Sequence, residues 1–401
     1  MHQRLDERQA ALRFDACTAQ QAAFKQIGGA GHEQKPELAA RGQARQVGPP
    51  AVRPLANRGC HGQGTHLGCR PWGMRTLQTA LRVWCAVCKD WPCGAVRSRM
   101  RARYADLVID ARLADKRRYI EEKAMPQLKV GVENSADIEI HYEDHGSGRP
   151  IVLIHGYPLD GNSWERQERV LLAQGYRVIT YDRRGFGRSS QPTVGYDYDT
   201  FAADLNTLLE HLNLNDIILG GFSMGTGEVT RYLGKYGSSR VRKAALFGVI
   251  PPFLLKTTDN PEGVDGSVFE GIKAAIVADR YAYFQDFFNN FYNVDVLGQT
   301  KISRPAWQAS FNVAVGSSPY ATYACVDTWL TDFRQDLPKI DVPTLVVHGT
   351  EDRILPYEAT AGRLPGLIKN LRLVTVDGGP HNIGWTHPEE VNKALLEFLA
   401  D

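Results

Sequence analysis

Six short apolar runs, spaced by segments of helical periodicity, constrain this chain more than any other feature: Ile151 to His155, Arg177 to Tyr181, Ile217 to Leu219, Ala244 to Ile250, Thr344 to His348 and Leu371 to Val376. A strand that is apolar at nearly every position has no face to offer water, so it must be covered on both sides, and that is the condition of a parallel sheet between layers of helices. The fold class is therefore α/β. Two runs of alternating polarity, Gln127 to Val132 and Ile138 to Glu143, precede them and read as half-exposed antiparallel strands. Helices are predicted over Trp164 to Ala173, Thr200 to Leu212 and Gly225 to Tyr236, with a last one entered at Pro388 and carrying Glu389 and Glu390 in its first turn. Between Ile250 and Asp341 the alternation stops. There Phe269 to Tyr292 reads as an aromatic-rich helix, so a small helical cap is expected as an insertion at about residues 251–331.

This rhythm begins at Met125, and the text before it differs in kind. Residues 1–126 hold 22 Lys or Arg against 11 Asp or Glu, whereas the remaining 275 hold 25 against 34. Six of the seven cysteines (Cys17, Cys60, Cys69, Cys85, Cys88 and Cys93) precede residue 125, and Cys325 stands alone after it. Residues 1–124 lack sustained periodicity and are expected to form a disordered basic extension to a domain over 125–401. Three readings of it stay open. It is a gene-call extension ahead of a true start at Met125, favoured by the composition break and by Glu121-Glu122-Lys123, whose codons are purine-rich. It is a basic arm that attracts nucleic acid or anionic surfaces. Or Cys60, Cys69, Cys85, Cys88 and Cys93 with His61 and His66 form a zinc module, although only Cys85 and Cys88 have the spacing of a ligand pair. For the body, no nucleic acid partner is expected. No secretory signal follows the acidic start, and Leu77 to Cys88 is too short and too broken to cross a bilayer. A soluble protein of the reducing cytoplasm is the expectation.

The chemistry centres on Gly221-Phe222-Ser223-Met224-Gly225, which follows an apolar run and precedes a helical pattern. Glycines on both sides permit a tight strand-to-helix turn that lifts a serine oxygen above the sheet, the arrangement called a nucleophile elbow. A serine hydroxyl is a poor nucleophile at neutral pH, so such an elbow needs a histidine to take its proton and a carboxylate to orient that histidine. Asp352 follows the strand at Thr344 to His348, and His381 follows the strand at Leu371 to Val376, in the order Ser, acid, His. Ser223, Asp352 and His381 are the expected catalytic residues. Glu351 competes as the acid but is expected to be solvated, His348 is expected to be a hydrogen-bonded structural imidazole, and His387 a helix cap. Acyl transfer also needs two donors for the developing oxyanion. The backbone N–H groups of Met224, directly after the nucleophile, and of Tyr157, in His155-Gly156-Tyr157-Pro158, are the candidates, because Pro158 has no N–H to give. His155 is expected to bond locally and shape its loop.

Asp182-Arg183-Arg184-Gly185-Phe186-Gly187-Arg188-Ser189 lacks the Gly-Lys-Ser/Thr end of a phosphate-binding loop and reads as a structural loop with Asp182 paired to an arginine. Phe284, Phe287, Phe288, Phe291 and Tyr292 recur at helical spacing and are expected mainly in the cap core, with some facing the site.

Residues 125–401 resemble the cofactor-free, non-haem haloperoxidases of the α/β-hydrolase superfamily, also described as perhydrolases and arylesterases. The resemblance runs through Val152 to Pro158, Tyr181 to Gly187, Gly221 to Glu228, Phe253 to Thr257 and Trp385-Thr386-His387. It implies an α/β-hydrolase fold with a mostly parallel, eight-stranded sheet and a triad matched by Ser223, Asp352 and His381. The implied oxyanion hole is matched by Tyr157 and Met224. The implied reaction acylates Ser223 from a short carboxylic acid or ester and lets hydrogen peroxide deacylate it to a peracid, which oxidises halide in solution. No metal and no cofactor are then required, and carboxylesterase activity accompanies the peroxide chemistry. A plain carboxylesterase or lactonase with incidental peroxide chemistry is the alternative. The partners implied are a small acyl substrate and hydrogen peroxide, with a homo-oligomer by family analogy. One departure is Asn382-Ile383-Gly384, where the family pattern is more apolar.

Overall fold

The computed structural model describes residues 126–401, so the expectations for residues 1–124, and the start at Met125, lie outside the described residues. Eight strands form one sheet: β1 (Gln127–Glu133), β2 (Ala136–His145), β3 (Pro150–Ile154), β4 (Arg177–Tyr181), β5 (Ile217–Phe222), β6 (Val241–Phe247), β7 (Thr344–Gly349) and β8 (Leu371–Val376). Their order is β1-β2-β4-β3-β5-β6-β7-β8. β1 and β2 pair antiparallel, as their alternating polarity requires, and β2 joins β4 antiparallel. Every pairing among β3 to β8 is parallel. Among the apolar runs β5 and β7 are inner strands buried at every position, whereas β8 is an edge strand buried only at Val376.

Helices α1 (Glu165–Ala173), α2 (Tyr198–His211) and α3 (Met224–Tyr236) follow β3, β4 and β5, and α9 (Pro388–Ala400) closes the chain. α1 packs on β4 and α9, whereas α2 packs on α3, which lies along β5. The chain moves from β3 towards one edge to make β4, then crosses β3 and runs towards the other edge, so right-handed crossovers place these two pairs on opposite faces. The reversal falls between adjacent strands β3 and β5. Loops leaving their carboxyl ends diverge there and open a crevice, which is where open α/β sheets bind ligands.

Between β6 and β7 lie α4 (Gly266–Phe291), α5 (Val294–Leu297), α6 (Arg304–Gly316) and α7 (Pro319–Thr328). α4 is broken at Asp279, whose backbone (φ −160°, ψ 94°) leaves the helix and whose carboxylate accepts the N–H groups of Tyr281 and Ala282, both at 3.1 Å, as an internal cap. Ser303 and Ser318 cap α6 and α7, each with a proline in the first turn. A short helix α8 (Ile383–Thr386) precedes α9. Among the described residues no helix is long and apolar enough to cross a membrane.

Candidate active site

The last residues of β5 and the first of α3 leave one residue to reverse the chain, and Ser223 makes that turn at φ 52°, ψ −118°, a conformation costly for any side chain but glycine. The turn is tight enough that a Cβ on Gly221 would lie 2.5 Å from Gly225 O, and one on Gly225 would lie 2.4 Å from Ile154 O. Ser223 N–H donates to Phe247 O at 2.8 Å, and its carbonyl accepts from Thr226 N–H at 2.8 Å, so the strained residue is held from both sides. Ser223 Oγ is thereby set above the sheet, and Met224 becomes the first residue of α3, where a backbone N–H has no helical acceptor.

His381 reaches the serine from the loop after β8. Its Nε2 lies 2.8 Å from Ser223 Oγ, placed to accept the hydroxyl proton, and its Nδ1–H donates to Asp352 Oδ2 at 2.7 Å. Asp352, in the loop after β7, receives two further N–H groups on Oδ1, from Ile354 at 2.9 Å and Leu355 at 2.8 Å. Burial alone would raise the Asp352 carboxyl. The charge and hydrogen bond of His381, with His348 and the Leu355 N–H, outweigh it and hold the group below the usual aspartate value. The His381 ring is fully buried between Phe222 and Phe291, each 5.1 Å away between centroids, which restricts it to this orientation. The structure thus brings together the three side chains that the sequence placed after three separate strands.

Tyr157 lies in the loop after β3, facing the elbow: a Cβ on its neighbour Gly156 would come within 2.9 Å of Ser223 Cβ. Its peptide bond to Pro158 is cis. Ser223 and Tyr157 open on a cleft with about 830 Å³ of free space, part of it open to solvent, whose wall is mainly apolar. Ile250 and Leu254 line it from the segment after β6, Phe269, Ile272 and Phe287 line it from α4, and Ile354 comes from the acid loop. Phe284, Phe288 and Tyr292 are buried in the cap, whereas Phe287 lines the cleft and Phe291 packs on the His381 ring.

The competing residues have other duties. Glu351 is exposed. His348 is fully buried, accepts Val249 N–H on Nδ1 at 3.1 Å and donates from Nε2 to Leu355 O at 2.9 Å, a structural imidazole at the base of the acid loop. His387 occupies the capping position of α9 but gives its helix no side-chain hydrogen bond; its Nδ1 meets Thr386 Oγ1 at 2.9 Å. Asn382 spends its side chain on Trp385 N–H and on the Tyr292 hydroxyl, joining the histidine loop to the cap.

Asp182 is paired with an arginine of its own loop, as expected: Oδ1 accepts Gly161 N–H at 2.8 Å, and Oδ2 accepts Arg188 N–H at 2.7 Å and faces the Arg188 guanidinium at 3.7 Å. The two arginines beside it turn inward instead. Arg183 pairs with Glu228 at 2.8 Å and Arg184 with Asp204 at 2.7 Å, all four buried. Among the described residues, no three His, Cys, Asp or Glu side chains are grouped so that they could hold a metal ion.

Residues 149–388 match the family model described as the alpha/beta hydrolase fold. A Synechocystis sp. protein carrying a provisional non-heme chloroperoxidase name is 66% identical over 275 residues, which is 69% of this chain and 100% of that one. A bifunctional esterase/perhydrolase of Acinetobacter calcoaceticus is 34% identical, covering 65% of this chain and 96% of its own. Among solved structures, the bromoperoxidase of Bacillus anthracis superposes with a TM-score of 0.66 at 45% identity, over 69% of this chain and 99% of that chain.

Proposed function

The chain belongs to the non-heme haloperoxidases of the α/β-hydrolase fold family, and from that premise we propose that it is a serine-dependent, cofactor-free perhydrolase and carboxylesterase whose peracid product halogenates. The observation that carries the reading is the unbroken hydrogen-bonded line from Asp352 Oδ2 through His381 to Ser223 Oγ, 2.7 and 2.8 Å long, at the floor of an apolar cleft.

In the proposed sequence His381 Nε2 takes the proton of Ser223 Oγ as the oxygen attacks the carbonyl carbon of a small ester or acid. Asp352 keeps the imidazole in the Nδ1–H tautomer and balances the imidazolium that forms. Negative charge develops on the former carbonyl oxygen, and the N–H groups of Met224 and Tyr157 receive it. His381 then hands its proton to the departing alcohol or water, leaving an acyl ester on Ser223. Deacylation repeats these steps with a new nucleophile. Water gives the carboxylic acid. Hydrogen peroxide, deprotonated at one oxygen by His381, gives the peracid and regenerates Ser223 Oγ–H. The free peracid transfers its terminal OH to bromide or chloride, forming hypohalous acid and the parent carboxylate, so the halide needs no site on the protein. The apolar wall is suited to the alkyl or aryl part of the acyl group and keeps the acyl-enzyme shielded from bulk water.

Ser223→Ala tests the assignment. The expectation is loss of ester hydrolysis and of the acyl adduct seen by mass spectrometry, in a protein with unchanged melting behaviour; substantial hydrolysis by the pure, folded variant would sink it.

A further inference from the structure

The buried pair Arg183 and Glu228 has no part in the chemistry above, yet it ends on the acyl site. Glu228 stands five residues after Ser223 on α3 and is fully buried. It accepts Arg183 Nε–H at 2.8 Å and the proton of the Tyr181 hydroxyl. Arg183 Nη2 in turn donates to His155 O at 3.1 Å, and the Arg183 backbone N–H donates to His155 Nε2 at 2.9 Å. A neutral imidazole that accepts on Nε2 carries its proton on Nδ1. That proton is given to Gly156 O at 2.9 Å, and Leu159 N–H reaches the same carbonyl at 3.0 Å. The Gly156 carbonyl and the Tyr157 N–H belong to one peptide unit, and in a planar trans peptide they point in opposite directions. Whatever pins the carbonyl therefore aims the N–H.

We propose that Glu228, Arg183 and His155 are positioning residues: together they tie the nucleophile helix to the loop after β3 and aim the Tyr157 N–H at the oxyanion formed on Ser223. The claim rests on the reading of Ser223 as the nucleophile. Stability alone does not account for these charges, because burying an arginine and a glutamate costs desolvation, and apolar pairs of similar volume are often as stable or more so. Connectivity does account for them. Each link ends on a group of the site, and the chain starts on the same helix that sets Ser223. Burial, reinforced by the Arg183 charge, holds the His155 imidazole well below its ordinary pKa, which keeps it neutral and its single proton on Nδ1.

The test compares the full chain with Arg183→Met/Glu228→Met, which removes both charges at once, and with His155→Asn, which leaves the ion pair in place. Two inhibitors of one acyl length are titrated: a trifluoromethyl ketone, whose adduct on a serine needs the oxyanion donors, and an isosteric amide that binds without adding. Expected in both variants is a fall of about 10- to 100-fold in kcat and in ketone affinity together. KM and amide affinity should stay within about twofold. Unchanged kcat in both variants, or ketone and amide affinities falling in step, would overturn the proposal, the latter because it signals a disordered pocket rather than a misaimed donor. If the double variant does not fold, His155→Asn decides by the same criteria. Labelling of wild-type Ser223 by a fluorophosphonate is measured alongside: no label in the wild type means that the nucleophile assignment has failed and the positioning claim with it, whereas label in the wild type confines any failure to the positioning claim.

Discussion

At the scale of single residues, the site was legible because each triad member follows its own strand, in an order that the chain records directly. The two glycines of the proposed nucleophile's turn, the aspartate after β7 and the histidine after β8 are all local signals. The buried ion pairs were not legible, since Arg183 and Glu228 lie 45 residues apart and Arg184 and Asp204 lie 20 apart, and nothing local says which carboxylate an inward-turning guanidinium will meet. The buried imidazoles make a prediction about acid. Burial holds His155 well below its ordinary pKa and also lowers His348, although Asp352 partly offsets the latter. In the unfolded chain both titrate near about 6.5. The unfolded state therefore binds protons first as pH falls, so the stability contributed by these groups is present above about 6.5 and declines below it. Asp204, raised by burial to about 6 against the pull of Arg184, works the other way, as do Asp160, Glu168, Asp286 and Asp336, which burial also raises, while His387, lowered by burial, sides with the other two histidines. Removing one histidine isolates its share: between pH 7.5 and 5.5 the melting temperature of His348→Gln should lose less, or gain more, than that of the wild type; equal slopes in the two proteins would show that His348 does not contribute.

At the scale of elements, strands and periodic helices were readable to within a few residues, whereas the cap was readable only in outline. A break in a helix at Asp279 leaves no mark in periodicity, because aromatic and aliphatic side chains continue on both sides of it. Helices α6 and α7 went unread between Ile250 and Asp341 for a related reason: they pack within the cap and carry no strong apolar stripe. Their starts were nonetheless written in the chain, as Ser303 followed by Pro305 and Ser318 followed by Pro319. The strand-to-helix turn is the element on which the site depends, and it tolerates no added atoms at Gly225, where a Cβ would lie 2.4 Å from a backbone oxygen of β3. Gly225→Ala is expected to cost roughly 1–3 kcal/mol in denaturant unfolding, with loss of activity at temperatures where the protein is still folded. A variant as stable and as active as the wild type would show that the elbow can relax, and that Ser223 does not need this geometry.

At the scale of the whole molecule, function follows from where the sheet changes direction. The reversal between β3 and β5 places the Tyr157 loop beside the Ser223 turn, the parallel pairing of these two strands carries both, and β7 and β8 deliver Asp352 and His381 to the same edge. The insertion between β6 and β7 roofs that edge with aromatic side chains. In the proposed mechanism this arrangement makes an acyl-enzyme, and which nucleophile collects it sets the product. The measurement that bears most directly on the account is the partition of that intermediate: peracetic acid against acetate formed from an acetate ester across a hydrogen peroxide titration, with Ser223→Ala as control. The account predicts a peracid yield that depends on Ser223, rises with peroxide at the expense of acetate, and exceeds the uncatalysed background at modest peroxide. Rapid ester hydrolysis with no more peracid than the control would contradict it, and would make the protein a carboxylesterase built on a perhydrolase frame.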